Sequence, residues 1–106
     1  MLKSILTFIM TLFCLNTVSY AQLPYQFTNT ARNIHYGFAW DVGVSNDGTI
    51  FLANGFGGLR AYKYNGNSFT STGQINNGGK ARGVVISSDG TVFLIDDNLW
   101  AFRYDG

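Results

Sequence analysis

Glutamate is absent from this chain of 106 residues, and cysteine, proline and histidine occur once each. One cysteine excludes a disulfide within the chain. The lone His35 has no second histidine, no cysteine pair and no glutamate to join it, which argues against a transition-metal site. Seven Lys and Arg residues face six Asp, so net charge gives no reason to propose nucleic acid or an anionic membrane as a partner.

The segment 1–21 has the order of a secretory signal. Lys3 is followed by an apolar run over residues 5–15, and the segment ends in the small-residue pattern Ser-Tyr-Ala at residues 19–21. The apolar run is shorter than the roughly 20 residues that a membrane-spanning helix needs. We therefore predict a signal-peptide helix at 1–21 that is cleaved and takes the only cysteine with it. The remaining chain is expected in the periplasm, outside the cell or on its surface, with no membrane association after cleavage.

Residues 22–106 contain one pattern twice. The stretch "SNDGTIFLANGFGGLRAYKYNG" at residues 45–66 returns as "SSDGTVFLIDDNLWAFRYDG" at residues 87–106. Leu52 corresponds to Leu94 and Leu59 to Leu99, so the loop between these positions is slightly shorter in the second copy. A period of about 40 residues indicates repeat architecture. We divide the segment into two repeats, at about 27–68 and 69–106.

Each repeat contains four candidate strands, which predicts an all-β fold. In the two repeats they are QFTNT and SFTST, DVGVS and GVVIS, TIFLA and TVFLI, and LRAYKY and LWAFRY. The Asp-Gly pairs at 47–48 and 89–90 lie between the second and third candidates and predict two-residue hairpin turns. The second and third candidates are almost entirely apolar, which is typical of strands buried on both faces. Aromatic residues recur at every second position of the fourth, which favours a packing role over a ligand platform.

Four short antiparallel strands in about 40 residues, apolar on both faces, are typical of a β-propeller blade. The two repeats resemble those of LVIVD-type secreted bacterial propellers and are similar to NHL repeats. They share an apolar strand, an Asp-Gly turn, a second apolar strand ending in Ala or Asp, a Gly-rich or polar loop and a Leu-x-x-Tyr/Phe strand. The segment "ANGFGGLRAY" is the most similar. The resemblance covers nearly all of residues 22–106 and implies two four-stranded blades of a larger propeller.

Two blades do not close a ring, because propellers contain about 4–8. Three explanations stay open. The chain is the first part of a longer propeller, or identical chains join head to tail with three or four copies forming six to eight blades, or two sheets stand alone. The order of strands fits ring closure, because in closed propellers an N-terminal strand completes the sheet of the last blade.

Candidate site residues come from the loops before the second strand and between the third and fourth. These loops share one face of a propeller, and loops on a rigid scaffold commonly carry binding. The candidates are His35, Tyr36, Trp40, Asp41, Phe56, Lys80, Arg82, Asp96 and Asp97. The run Asp96-Asp97-Asn98 matches no calcium loop, so a solvated turn is the better interpretation. No Ser-His-Asp or Cys-His arrangement can be assembled, and we assign no catalytic residue, metal ligand or cofactor.

Three hypotheses of different class follow for the function. The first is a non-enzymatic, exported propeller segment that acts as a binding or interaction scaffold for an unknown protein or small molecule. The alternative is a fragment of a lactonase-like, metal-dependent propeller hydrolase whose active site is completed by further blades. The absence of glutamate argues against a complete active site of that kind within these 106 residues. A structural repeat of a surface protein is a third hypothesis.

Overall fold

Seven strands form two antiparallel sheets in the computed structural model, which describes residues 24–106. The strands are β1 (Asp41–Val44), β2 (Ile50–Ala53), β3 (Leu59–Tyr64), β4 (Phe69–Ile75), β5 (Gly83–Ile86), β6 (Thr91–Ile95) and β7 (Leu99–Arg103). Sheet 1 has the order β1-β2-β3-β4, and sheet 2 has the order β5-β6-β7. The all-β prediction is confirmed for these residues, whereas the predicted signal-peptide helix lies outside them. Residues 24–106 contain no helix with the length and apolar character to span a membrane.

The Asp-Gly hairpins form where the sequence predicts them, with a loop one residue longer than expected. In the first, the Ser45 backbone N–H donates to the Thr49 carbonyl at 2.9 Å, and Gly48 donates back to the Ser45 carbonyl at 3.0 Å. Three residues therefore form the loop, and Gly48 takes a φ of 85°, the left-handed region that this loop type requires at its last position. The second hairpin repeats this arrangement, with Gly90 at a φ of 87°.

An aspartate fixes each of these loops. In the second hairpin the Ser87 hydroxyl donates to the Asp89 carboxylate, and the Thr91 backbone N–H donates to it at 3.0 Å. These two hydrogen bonds lower the pKa of Asp89 to about 2, and the bond from the Ser87 hydroxyl makes the larger contribution. Asp47 in the first hairpin has the same arrangement, and the hydrogen bond from Ser45 is the largest cause of its lowered pKa. The exposed Lys63 ammonium, 3.4 Å from Asp47, adds little because solvent screens it.

The paired substitution Asp47→Asn and Asp89→Asn is expected to reduce stability at neutral pH and to flatten its acid dependence. Because the folded-state pKa of Asp89 lies below the ordinary value of 3.8, its ionised form stabilises the fold above about pH 4, and this stabilisation is lost as the pH falls through about 2. Thermal unfolding followed by circular dichroism from about pH 7 to about pH 2 measures this. Asp97→Asn is the control. If the paired variant lost stability at low pH to the same extent as the parent, the stabilising role of the ionised Asp47 and Asp89 would be contradicted.

Sheet 1 takes its outermost strand from the start of the second repeat. β4 pairs with β3 in the register Leu59↔Ile75 to Tyr64↔Phe69, with a bulge between Ala61 and Tyr62. The equivalent segment of the first repeat, QFTNT at residues 26–30, forms no strand, so this part of the prediction is wrong. Its backbone has no neighbouring strand within residues 24–106 with which to pair. Sheet 2 correspondingly has three strands over the described residues, rather than the four predicted for each repeat.

The core lies between the two sheets. It consists of Phe51, Ala53, Leu59 and Ala61 from sheet 1, and Ala81, Val84, Val92 and Leu94 from sheet 2 and the loop before it. The Tyr104 ring closes one end of the core edge-to-face against Phe51, with ring centroids 5.2 Å apart. This core uses only the inner face of each sheet. The predicted burial of both faces is complete on only one face of each sheet. On the opposite faces Val44, Val85 and Leu99 are exposed, although Tyr62 is buried.

Candidate functional site

Three segments meet at the end of the sheets opposite the Asp-Gly hairpins. Gly55 and Ala81 exchange two backbone hydrogen bonds of 2.9 Å, which tie the loop after β2 to the loop before β5. The Asn76 side chain donates to the Phe56 carbonyl at 2.9 Å, and the Asn54 side chain donates to the Tyr36 carbonyl at 2.8 Å. These contacts bring together loops that the sequence analysis assigned to one face.

Lys80 lies between two aromatic rings of these loops. Its Nζ is 5.1 Å from the centroid of the Trp40 ring and 5.4 Å from that of Phe56, within the range of a cation–π interaction. We call Trp40, Phe56 and Lys80 the loop-face cluster. The Trp40 backbone N–H donates to the Ala53 carbonyl at 2.8 Å, which fixes this residue directly before β1. The ammonium is thus held over aromatic faces, and the two aromatic residues are 53% and 55% exposed.

Exposed aromatic residues continue from the cluster along the segment before β1. Tyr36 and Phe38 both leave most of their surface in solvent. Arg82 is exposed two residues after Lys80, and its backbone N–H donates to the Ile95 carbonyl at 2.9 Å. The surface around the cluster therefore combines large aromatic rings with two cations. Aromatic residues and arginine are enriched where proteins bind one another.

Two of the candidate carboxylates serve the fold. Asp41 accepts a hydrogen bond of 2.9 Å from the Val84 backbone N–H and so links sheet 1 to sheet 2. Asp96 is buried, and it accepts hydrogen bonds from the Asn98 backbone N–H at 2.7 Å and from the Trp100 indole N–H at 3.0 Å. The bond from Asn98 is the largest cause of the lowered pKa of Asp96. The prediction of a solvated turn is therefore wrong for Asp96, because the indole and the backbone of the same turn enclose it.

The remaining candidates, His35 and Asp97, do not belong to the loop-face cluster. His35 is exposed, and its Nδ1 lies 3.1 Å from the Tyr36 carbonyl oxygen. Asp97 is exposed, and its side chain makes no hydrogen bond to the described part of the chain. Over residues 24–106 no group of three or more His, Cys, Asp or Glu side chains is placed to hold a metal ion.

The asparagines that hold the loops together were not among the predicted site residues. Asn54 is buried at the position equivalent to Asp96 in the other repeat, and both close the loop after the hairpin. A glycine lies against each, because a Cβ on Gly79 would come 2.5 Å from the Asp96 Oδ2, and one on Gly37 would overlap the Asn54 carbonyl oxygen. The recurrence of this pairing at equivalent positions of both repeats is the signal that could have identified it.

A cleft of about 300 Å³ opens between the outer strands of the two sheets. β3, β4 and β7 form its walls, and Gln74, Arg103 and Tyr104 line it among others. The Tyr104 hydroxyl donates to the Thr72 hydroxyl at 2.5 Å across it. This cleft was not predicted from the sequence, because it depends on the pairing of β4, which belongs to the second repeat, with β3 of the first.

Comparison of the sequence with models of known families gives no match, and comparison with curated proteins gives none either.

Proposed function

We propose that the chain is an exported β-propeller repeat segment that serves as a binding scaffold, with the loop-face cluster as its contact surface. The two sheets are proposed to be neighbouring propeller blades of the LVIVD type. The repeat pattern supports this, since the first three strands have the same order in both sheets and the sheets pack through a shared apolar layer. The observation that carries the binding role is the exposure of Trp40 and Phe56 around Lys80.

A protein partner fits this surface best. Rigid aromatic side chains offer large contact area with little loss of conformational freedom, and they dominate the energetics of protein interfaces. The loops that present them are tied by backbone hydrogen bonds between Gly55 and Ala81, so little ordering is needed on binding. A partner that places an acidic side chain against Lys80 and apolar groups against the rings would match both features.

The test starts with a photo-crosslinking amino acid at Phe56 in the full chain, expressed with export in its own host. A protein crosslinked from this position, and not from Asn67 in the turn between β3 and β4, is then purified. Trp40→Ala is expected to weaken its binding about tenfold or more, because truncating a central aromatic anchor costs about 2 kcal/mol.

Tyr25→Ala is the matched control, because Tyr25 is an exposed aromatic residue outside the cluster. Equal crosslinking from positions 56 and 67, or equal affinity of the Trp40 and Tyr25 variants, would show that the cluster is not the contact surface. Circular dichroism of each variant establishes that the sheets are intact, so a loss of binding can be assigned to the surface.

A further inference from the structure

The outer face of sheet 1 has the composition of a buried face. Each of its residues is equivalent, by the sequence repeat, to a residue on the inner face of sheet 2. They are Val42, Val44, Ile50, Leu52, Tyr62 and Tyr64, which correspond to Val84, Ile86, Val92, Leu94, Phe102 and Tyr104. In the single chain Val44 remains 61% exposed, although the equivalent Ile86 packs against the core.

The outer face of sheet 2 is related in the same way to the inner face of sheet 1. It consists of Val85, Phe93, Ile95, Leu99 and Ala101, in place of Gly43, Phe51, Ala53, Leu59 and Ala61. Val85 is 61% exposed, and Ile95 and Leu99 also leave most of their surface in solvent. The two open faces are therefore copies of the two halves of the interface that already exists between the sheets.

Side-chain volumes at the two interfaces compensate. Between the sheets Gly43 lies so close to the Ile86 side chain that a Cβ would overlap it. On the open faces the larger Val85 replaces this glycine, and the smaller Val44 replaces the isoleucine that would oppose it. The increase on one face is thus partly offset by the decrease on the other, as core packing requires. One contact is not repeated, because Gly83 stands at the position of Asp41.

The segment before β1 already lies as a neighbouring outer strand would. The Thr30 hydroxyl is hydrogen-bonded to the Tyr64 hydroxyl, and the same pair recurs one repeat later as Thr72 and Tyr104. In the second pair Thr72 belongs to β4, the outer strand of the adjacent sheet. Residues 27–33 therefore occupy, relative to sheet 1, the place that β4 occupies relative to sheet 2.

We propose that a second copy of the chain packs its sheet 2 against the outer face of sheet 1, and that residues 27–33 of the first copy pair with β7 of the second. Within residues 24–106 the outer edge of β7 has no strand partner, and residues 27–33 are a strand sequence without a sheet. One association satisfies both and covers both apolar faces. Repetition of this head-to-tail contact closes a ring when the rotation between copies divides the circle evenly, and three or four copies then give the six to eight blades of common propellers.

The register of the new strand pair follows from that of β3 and β4. Phe69 lies opposite Tyr64 and packs against its ring at a centroid distance of 5.1 Å. Transferred by the repeat, Phe27 lies opposite Tyr104 of the second copy. Phe27 is fully exposed in the single chain, and the proposed pairing would bury its ring against Tyr104 of the second copy. This assembly does not depend on a ligand at the loop-face cluster.

Cysteine crosslinking tests the contact directly in the full chain. Val44→Cys with Val85→Cys, in a Cys14→Ser background, places two thiols against each other across the new interface. Mild oxidation is expected to give a ladder of disulfide-linked copies that ends at a closed ring of three or four. Neither single-cysteine variant extends beyond a dimer. Absence of any ladder from the double variant would overturn the proposal.

Sedimentation velocity of the uncrosslinked chain provides the independent measurement. Val44→Lys, Val85→Lys and Phe27→Asp change side chains that are exposed in the single chain, so the sheets stay folded while association weakens about a hundredfold or more. Asn67→Lys, which lies on neither face, is the control and assembles like the parent. A parent chain that stays monomeric at every concentration, or an assembly that all three variants leave intact, contradicts the inference.

Discussion

Val92→Asp is expected to abolish the folded state. Val92 is the largest completely buried apolar side chain in the described part of the chain, and it belongs to the apolar cluster between the sheets. An aspartate there would be surrounded by apolar side chains such as Phe102, its partner across the strand pair. An unpaired buried carboxylate costs several kcal/mol beyond the lost packing, and a domain of this size has only about 5–10 kcal/mol in total. Loss of the β-sheet circular dichroism signal is the measurement.

Val85→Asp is the control for this experiment. Val85 belongs to β5, which pairs with β6, the strand that contains Val92. Its side chain, however, points to the open face of sheet 2 and is exposed. The same chemical change there is expected to leave the sheets of an isolated chain folded, and to act on association instead. If Val92→Asp retained a cooperative unfolding transition close to that of the parent, the position of the core would be wrong.

Gly58→Ala is expected to cause the second-largest loss of stability, about 3 kcal/mol or more. Gly58 ends the loop before β3 with a φ of 77°, a conformation in which an L-residue is strained. It also has no room, because a Cβ would overlap the carbonyl oxygen of Ile75 on the neighbouring strand. That oxygen is backbone, so it moves only if the end of β4 separates from β3. Denaturant unfolding at equilibrium gives the change in free energy.

Gly66→Ala separates the two causes. Gly66 also has a positive φ, of 97°, but a Cβ there would meet open space. Its replacement is expected to cost only the conformational strain, about 1 kcal/mol. The difference between the two variants then measures the steric contribution at Gly58. Equal effects at both positions would show that the contact between Gly58 and β4 is not restrictive.

The strands inside each hairpin could be predicted from the sequence because their signals are local. Continuous apolar runs locate β2 and β6, and the Asp-Gly pairs locate the turns before them. The repeat supports each assignment a second time, since a residue such as Phe51 has an apolar equivalent at Phe93. Local signals of this kind depend only on the residues of one strand and its turn.

The assignment of β4 to sheet 1, rather than to the sheet of its own repeat, could not be predicted in the same way. Residues 69–72 and 27–30 have nearly the same sequence, "FTST" and "FTNT", yet only the first forms a strand. What differs is the presence of a neighbour: β3 lies beside the first segment, and no strand of the described chain pairs with the second. A segment forms a strand only when a neighbouring strand pairs with it. The presence of β3, which is a non-local property, therefore decides between these two nearly identical sequences.

The candidate site shows the same division. The proximity of Trp40, Phe56 and Lys80 follows from the assignment of their loops to one face. The enclosure of Asp96 by the Trp100 indole does not, because it requires the indole at one particular position of β7. A polar residue in a turn is exposed by default, and only the packed structure reveals the donor that keeps it buried.

The sharing of β4 bears on how this sequence could have grown by gene duplication. A duplicated unit that begins near residue 27 encodes no complete sheet, because its first strand belongs to the sheet of the preceding unit. Each added unit therefore contributes one strand backward while it builds three of its own. Newly copied units are in this way joined to their predecessors from the outset, and excision of one unit from the gene would disrupt two sheets rather than one.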